Sequence, residues 1–156
     1  TDMVVCRYLQ EKLGRASTEE VLSGRGIVNI YNALCQHHNK NAELTTPSEV
    51  TSAGLDNSDE MAALAIQQFC RVMGSFAGNL ALNLCTTGGI FIGGGVVSHL
   101  GDYFLKSEFR SRFESKGSFS HYVQNIPTYL INEPDHGLLG ALAYLTQHLQ
   151  RNIEDE

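Results

Sequence analysis

Apolar positions recur at helical spacing along most of the chain. Val4, Val5, Tyr8, Leu9 and Leu13 predict a helix beginning at Asp2, with Gly14 ending it. Ser17-Thr18-Glu19-Glu20 reads as a capping box, with Ser17 at the N-cap and Glu20 three residues on, opening a short helix that stops at Gly24. Ile27, Ile30, Tyr31, Leu34 and Cys35 mark the next helix, which frays at His37-His38-Asn39. A polar loop follows, and Thr46 caps a brief helix whose first turn holds Pro47. From Ser58 to Cys85 a stripe of Met61, Leu64, Phe69, Val72, Phe76, Leu80 and Leu84 predicts a long helix. A second face of Ala62, Ile66, Cys70, Ala77 and Ala81 makes it apolar on most sides, which places it in the core. Gly74 and Gly78, four residues apart, predict the close approach of another element, and Asn79 and Asn83 are expected to be buried amides bonded to nearby backbone.

The pattern changes at Gly88. Ile90-Phe91-Ile92, a short apolar run enclosed by glycines, predicts a buried strand that enters the turn Gly93-Gly94-Gly95 and then a helix. Helical pieces continue past Phe104 and Phe113, and Pro127 to Ile131 predicts a second strand. After a turn over 132–137, Leu138, Leu142, Leu145 and Leu149 share one face of a final helix. Strands alternating with helices predict an α/β chain, rich in helix, around a small buried parallel sheet.

The chain has 156 residues and a mass of 17.1 kDa, enough for one domain or for one piece of a larger fold. Compact folding at this mass leaves roughly 7,800 Å² exposed. Apolar residues at 42% and charged residues at 18% exclude a disordered chain. No apolar run is long enough for a membrane-spanning helix. A net charge of −6 argues against a nucleic-acid or anionic-membrane partner, while a nucleotide held by a few backbone N–H groups stays compatible with it. Cys6, Cys35, Cys70 and Cys85 form no C-x-x-C pair and read as buried, reduced thiols of a cytoplasmic protein. No signal-peptide pattern is expected from these residues, and the start at Thr1, directly into an amphipathic pattern, is expected of a chain cut from a longer one.

Two features are candidates for chemistry. The glycine turn lacks the Lys-Ser/Thr of a P-loop and the spacing of G-x-G-x-x-G. It fits a tight strand-to-helix turn, and it also fits a cradle presenting backbone N–H groups to adenosine or phosphate. Glu19, left free if Glu20 closes the capping box, fits a first-turn acid favoured by the helix dipole, or a carboxylate accepting hydrogen bonds from ligand hydroxyls. His37 and His38 read as solvated residues at a helix end, and the interleaved Lys106, Arg110, Arg112, Lys116, Glu108 and Glu114 as a solvated face. His99, His121, His136 and His148 are scattered without a nucleophile beside them.

Several segments together resemble one family, the bacterial glucokinases. Ser17 to Gly26 is similar to that family's sugar-site segment, Gly78 to Leu84 to its central helix, and Gly88 to Val96 to its adenosine motif. Phe113 to Gly117, Ile126 to Ile131 and Gly137 to Ala141 continue the likeness in order, over nearly the whole chain. Arg25 stands where relatives often have Pro, and Gly93 where Ala is common. The resemblance implies a two-domain actin-like, hexokinase-like (ribonuclease H-like) fold, a cytoplasmic homodimer, and phosphorylation of glucose at its 6-hydroxyl with ATP and Mg²⁺. It assigns Glu19 to sugar hydroxyls and Gly93, Gly94 and Gly95 to the nucleotide. Residues 1–136 would be the C-terminal part of the large domain, and 137–156 a helix packing on the N-terminal domain.

The family's N-terminal phosphate loop, D-x-G-G-T-N, is not in this sequence. Neither are its Asn-Asp pair with the general base, its second glycine-rich loop or its G-E-G-G-H segment. Asp56, Asp59, Asp102 and Asp135 occur in unlike contexts. The expectation is a C-terminal glucokinase fragment that folds but does not catalyse, glucose and ATP being partners of the full-length enzyme, with no catalytic residue and no metal ligand of its own. A non-catalytic, sugar-responsive regulator of the same kinase-like fold is the competing reading, though no helix-turn-helix or basic face accompanies it.

Overall fold

A computed structural model describes residues 2–133 and 135–154, with side chains described as far as His148. Four helices form the larger part: α1 (Asp2–Leu13), α2 (Gly24–His37), α3 (Pro47–Leu55) and α4 (Glu60–Asn83). Gly14, at a φ of +71°, ends α1 where a side chain would be strained. Thr46 and Glu49 close a reciprocal capping box on α3, and the Asp59 carboxylate caps α4 through the Ala62 N–H.

α4 is the spine, packing against α2, α3 and the later α7 (Phe109–Glu114). Its two glycines make the last contact possible. A Cβ on Gly74 would overlap the Phe109 carbonyl, and one on Gly78 the Phe113 carbonyl, so α7 lies backbone to backbone on α4. Leu9, Ile27, Ile30, Tyr31, Ile66, Phe69 and Phe113 fill the core between these helices.

Of the charged residues expected to form a solvated face, Lys106 and Glu108 are exposed, but Arg110, Arg112 and Lys116 instead fasten α7 in place. Arg110 bonds Glu114 at 2.5 Å and the carbonyls of Ile126 and Gln124 at 2.7 and 2.8 Å, lying over the Phe113 ring. Arg112 reaches Asp2 at 3.3 Å, and Asp2 also accepts from Gln68, so α1, α4 and α7 meet at one carboxylate. Lys116 donates to the Ser75 carbonyl at 2.8 Å, and burial with the nearby Arg112 charge holds its ammonium below the ordinary value. Their long stems cover apolar surface while their heads find acceptors, which spacing alone does not reveal.

β1 (Ile90–Ile92) and β2 (Thr128–Leu130) pair in parallel, Ile90 opposite Thr128 and Ile92 opposite Leu130. Between them run the short helices α5 (Gly95–Leu100), α6 (Asp102–Lys106), α7 and, after a 3-10 turn, α8 (Ser120–Val123). α9 (His136–Glu154) closes the described chain. The expected parallel sheet is present, but only one of its faces is covered. Phe91 and Tyr129 stack on the other, their ring centroids 5.0 Å apart, and both are exposed.

Other expectations are also corrected by position. Cys35 and Cys70 are buried, but Cys6 and Cys85 are exposed, and all four are free. Asn79 and Asn83 are exposed too, because they lie on the outward side of the last turns of α4, whose other side buries Ala77, Gly78 and Ala81. Leu138, Leu142 and Leu145 are exposed on α9, while the Leu149 side chain lies outside the described residues. The accessible surface of 9,584 Å² accordingly exceeds the roughly 7,800 Å² of a compact chain of this mass. No helix among the described residues is long and apolar enough to cross a membrane.

Candidate functional site

Residues 17–22 do not form the helix the capping pattern predicts. Glu20 N–H donates to the Ser17 carbonyl at 3.2 Å and Leu22 N–H to the Thr18 carbonyl at 2.7 Å, and the chain then turns into α2. The N-cap is Ser23, whose hydroxyl accepts from the Gly26 N–H at 3.0 Å. Glu20 does not close a capping box. Its carboxylate is buried and accepts from Arg25 at 3.0 Å and Asn29 at 3.5 Å. A charge-assisted bond to a guanidinium outweighs a backbone cap, so the local signature gives way to a contact five residues on. Glu19 stands on the outside of this turn, exposed, its carboxylate bonded to no described residue.

The glycine turn follows β1 at the C-terminal end of both strands. Ile131 N–H donates to the Ile92 carbonyl at 2.8 Å, so the segments leaving β1 and β2 stay side by side. Gly94 has φ +130° and ψ 155°, a conformation that excludes L side chains, and a Cβ there would meet no atom within 4 Å. Gly95 is equally open. Gly93 differs: its φ is unexceptional, and a Cβ would touch Ile131 at 3.3 Å and the His136 imidazole at 3.5 Å. Of the three glycines, only Gly94 is required by its dihedrals. Clear space at the carboxyl ends of parallel strands, ahead of a helix, is where open α/β sheets take ligands.

His136 was not separable in sequence from the other histidines. It is placed at this turn by the sheet register, its Nδ1 2.7 Å from the Glu133 carbonyl. The signal that could have found it is the matched lengths of the two strands, whose following turns must then be neighbours. Glu19 is not among the atoms approaching the glycine turn, so the two candidate features remain separate here. A groove of about 330 Å³ between α1 and α2 is lined by Met3, Arg7, Tyr8, Glu11 and His37 and includes neither. Among the described residues no three His, Cys, Asp or Glu side chains group to hold a metal ion. Two of the aspartates have structural duties: Asp59 caps α4 and accepts from the Tyr31 hydroxyl at 3.2 Å, and Asp56 accepts from the Ser58 N–H.

Comparison with known proteins covers the same ground from outside. The family model described as Glucokinase matches residues 1–148. Proteins named glucokinase from Pectobacterium atrosepticum and Yersinia pestis are each 45% identical over 145 residues, covering 93% of this chain and 45% of theirs. A crystal structure of glucokinase from an Antarctic psychrotroph superposes with a TM-score of 0.84 at 32% identity, over 94% of this chain and 45% of that one. A glucokinase from Balamuthia mandrillaris, solved in complex with glucose, shares the fold with a TM-score of 0.73 at 19% identity, over 85% of this chain and 38% of its own. The chain thus spans about 45% of the length of the bacterial relatives it matches, and along the segment it does span, it belongs to the glucokinase family.

Proposed function

We propose that this chain is the C-terminal half of a cytoplasmic, homodimeric glucokinase that transfers a phosphoryl group from ATP to the 6-hydroxyl of glucose. Residues 1–136 are the C-terminal part of its large domain, and 137–156 the helix that packs on the remaining half. Glu19 accepts hydrogen bonds from sugar hydroxyls, and Gly93, Gly94 and Gly95 let adenosine approach the backbone. The observation that carries this reading is the family match over residues 1–148, joined to two groups that stand free. One is an exposed carboxylate on a fastened turn, and the other a glycine at φ +130° with open space before it.

The glycine turn suits a nucleotide, since backbone N–H groups and the absence of Cβ atoms suit close approach. Among the described residues no cluster of oxygen ligands suits Mg²⁺, so no step is assigned to the metal on this chain. Phosphoryl transfer rests on positioning and electrostatics around the γ-phosphate, and the groups for that are not in this sequence. A coupled assay for glucose 6-phosphate on the purified chain should read at background, and turnover above a buffer control would mean that the base lies within these residues.

In the protein at its relatives' full length, Glu19→Gln should cost about 1.5–3 kcal/mol of glucose binding, the worth of hydrogen bonds to a charged acceptor. Unchanged glucose kinetics would return Glu19 to an ordinary surface acid. Gly94→Val should weaken ATP far more than glucose, whereas equal weakening of both would point to misfolding.

A further inference from the structure

The turn bearing Glu19 is fastened to α2 at four points. Ser23 Oγ, while capping α2, donates to the Glu19 carbonyl at 2.7 Å. Asn29 Nδ2, on the buried side of α2, donates to the Glu20 carbonyl at 3.0 Å. The Glu20 carboxylate, its side chain only 10% exposed, takes a 3.0 Å bond from Arg25. The Val21 backbone lies so close on Gly26 that any Cβ there would overlap it.

A connector between two helices does not require a buried charge, and burying one is costly unless it is paired and hydrogen-bonded. Here the buried carboxylate is adjacent in the chain to the free one, and its partners come from the first two turns of α2. With the backbone held on both sides of Glu19, only its own side-chain torsions remain to be ordered when a ligand binds. An acceptor held ready in this way loses less entropy on binding.

We propose that Arg25 and Asn29 are positioning residues for Glu19, acting through Glu20, which sets the direction in which the Glu19 carboxylate is presented. The proposal rests on the reading of Glu19 as the acceptor of sugar hydroxyls. Arg25 and Asn29 do not touch the sugar. Removing Arg25 leaves the buried Glu20 carboxylate short of its charged partner. The turn then shifts to hydrate it, and Glu19 shifts with it.

The test is a double-mutant cycle in the protein at its relatives' full length. Glucose and ATP kinetics are measured for Arg25→Ala, Arg25→Lys, Glu20→Gln and Glu19→Gln, and for Arg25→Ala combined with Glu19→Gln. Arg25→Ala should raise glucose KM about two- to fivefold, the scale of a partly exposed ion pair, with ATP KM unmoved and Arg25→Lys largely restoring the parent value. Glu20→Gln, which keeps the shape and gives up the charge, should behave like Arg25→Ala. Once Glu19 is Gln, Arg25→Ala should add nothing, because two residues acting on one contact are not additive. The same fold-change in both backgrounds, or no change in glucose KM from either Arg25→Ala or Glu20→Gln, would overturn the proposal. If Glu19→Gln alone leaves glucose KM at the parent value, the reading of Glu19 fails and this proposal falls with it, so that single arm tells the two failures apart.

Discussion

The helical block of α1 to α4 with α7 and the edge formed by β1, β2 and α9 treat apolar side chains in opposite ways. In the first, Leu9, Ile27, Ile30 and Phe113 are wholly buried, and even Arg110, Arg112 and Lys116 are spent on joining helices. In the second, Phe91 is 67% exposed, Leu138 73% and Leu142 63%. Patches of this kind on a folded chain mark sites of interaction rather than ordinary surface. The block buries its own core, whereas the edge leaves much of its apolar surface bare. Of the two proposed ligand-facing features, Glu19 belongs to the block and the glycine turn to the edge.

Phe69→Ala should show the largest effect, because the ring is buried in the spine of the block and its loss leaves a cavity. The expected loss is about 3–5 kcal/mol in urea unfolding of the isolated chain. A loss under 1 kcal/mol would deny the block its separate core. Gly74→Ala comes next, at about 1–3 kcal/mol, since the added methyl must push α7 off α4. If it instead stabilised the chain, as a helix-interior alanine does when nothing is in the way, the backbone contact would be absent.

A smaller effect concerns pH. Burial pushes the Tyr31 hydroxyl up from 10.0 to about 12. Its folded pKa is thus above its unfolded one, so its contribution is complete below pH 10 and is lost as pH rises through 12. Stability should decline over that window, and Tyr31→Phe should flatten the decline. An equally steep alkaline limb in the variant would place the titrating group elsewhere. The smallest effect is expected at the edge. Leu142→Asp/Leu145→Asp in the isolated chain should change stability by about 0.5 kcal/mol or less. It should, however, reduce concentration-dependent self-association in sedimentation. A double variant that unfolds would show that α9 is part of the core.

The block was more legible in sequence than the edge, and for a physical reason. Hydrophobic period reports a face that needs covering, and in α4 the covering elements are present in the same chain. Gly74 and Gly78 foretold a close neighbour, which is α7, because a missing Cβ in a helix has few other uses. On α9 the same period was read correctly as a stripe, yet it could not say that the stripe would be bare. Asn79 and Asn83 were misplaced for a related reason, since burial was inferred from the helix as a whole, whereas only one side of its last turns is covered. At Glu20 the error was one of competition. The local cap signature was intact, but Arg25 and Asn29 offered stronger partners, and only tertiary geometry ranks such alternatives. Of the glycine turn, sequence supplied the position and structure the distinction among its three members, Gly94 alone being held at a positive φ.

The pairing of Ile90 with Thr128 has a temporal side. Two three-residue strands so far apart in the chain must close a long loop before their few hydrogen bonds form, and a parallel ladder returns little for that entropy. The sheet should therefore be the last element to assemble and the first to open. In hydrogen–deuterium exchange the amides of Ile90 and Ile131, which bond the carbonyls of Pro127 and Ile92, should lose protection well ahead of those in the middle of α4. Since the glycine turn hangs from the end of this ladder, its shape should be supplied only part of the time in the chain alone, and a neighbouring strand that steadied the ladder would fix the turn without touching it.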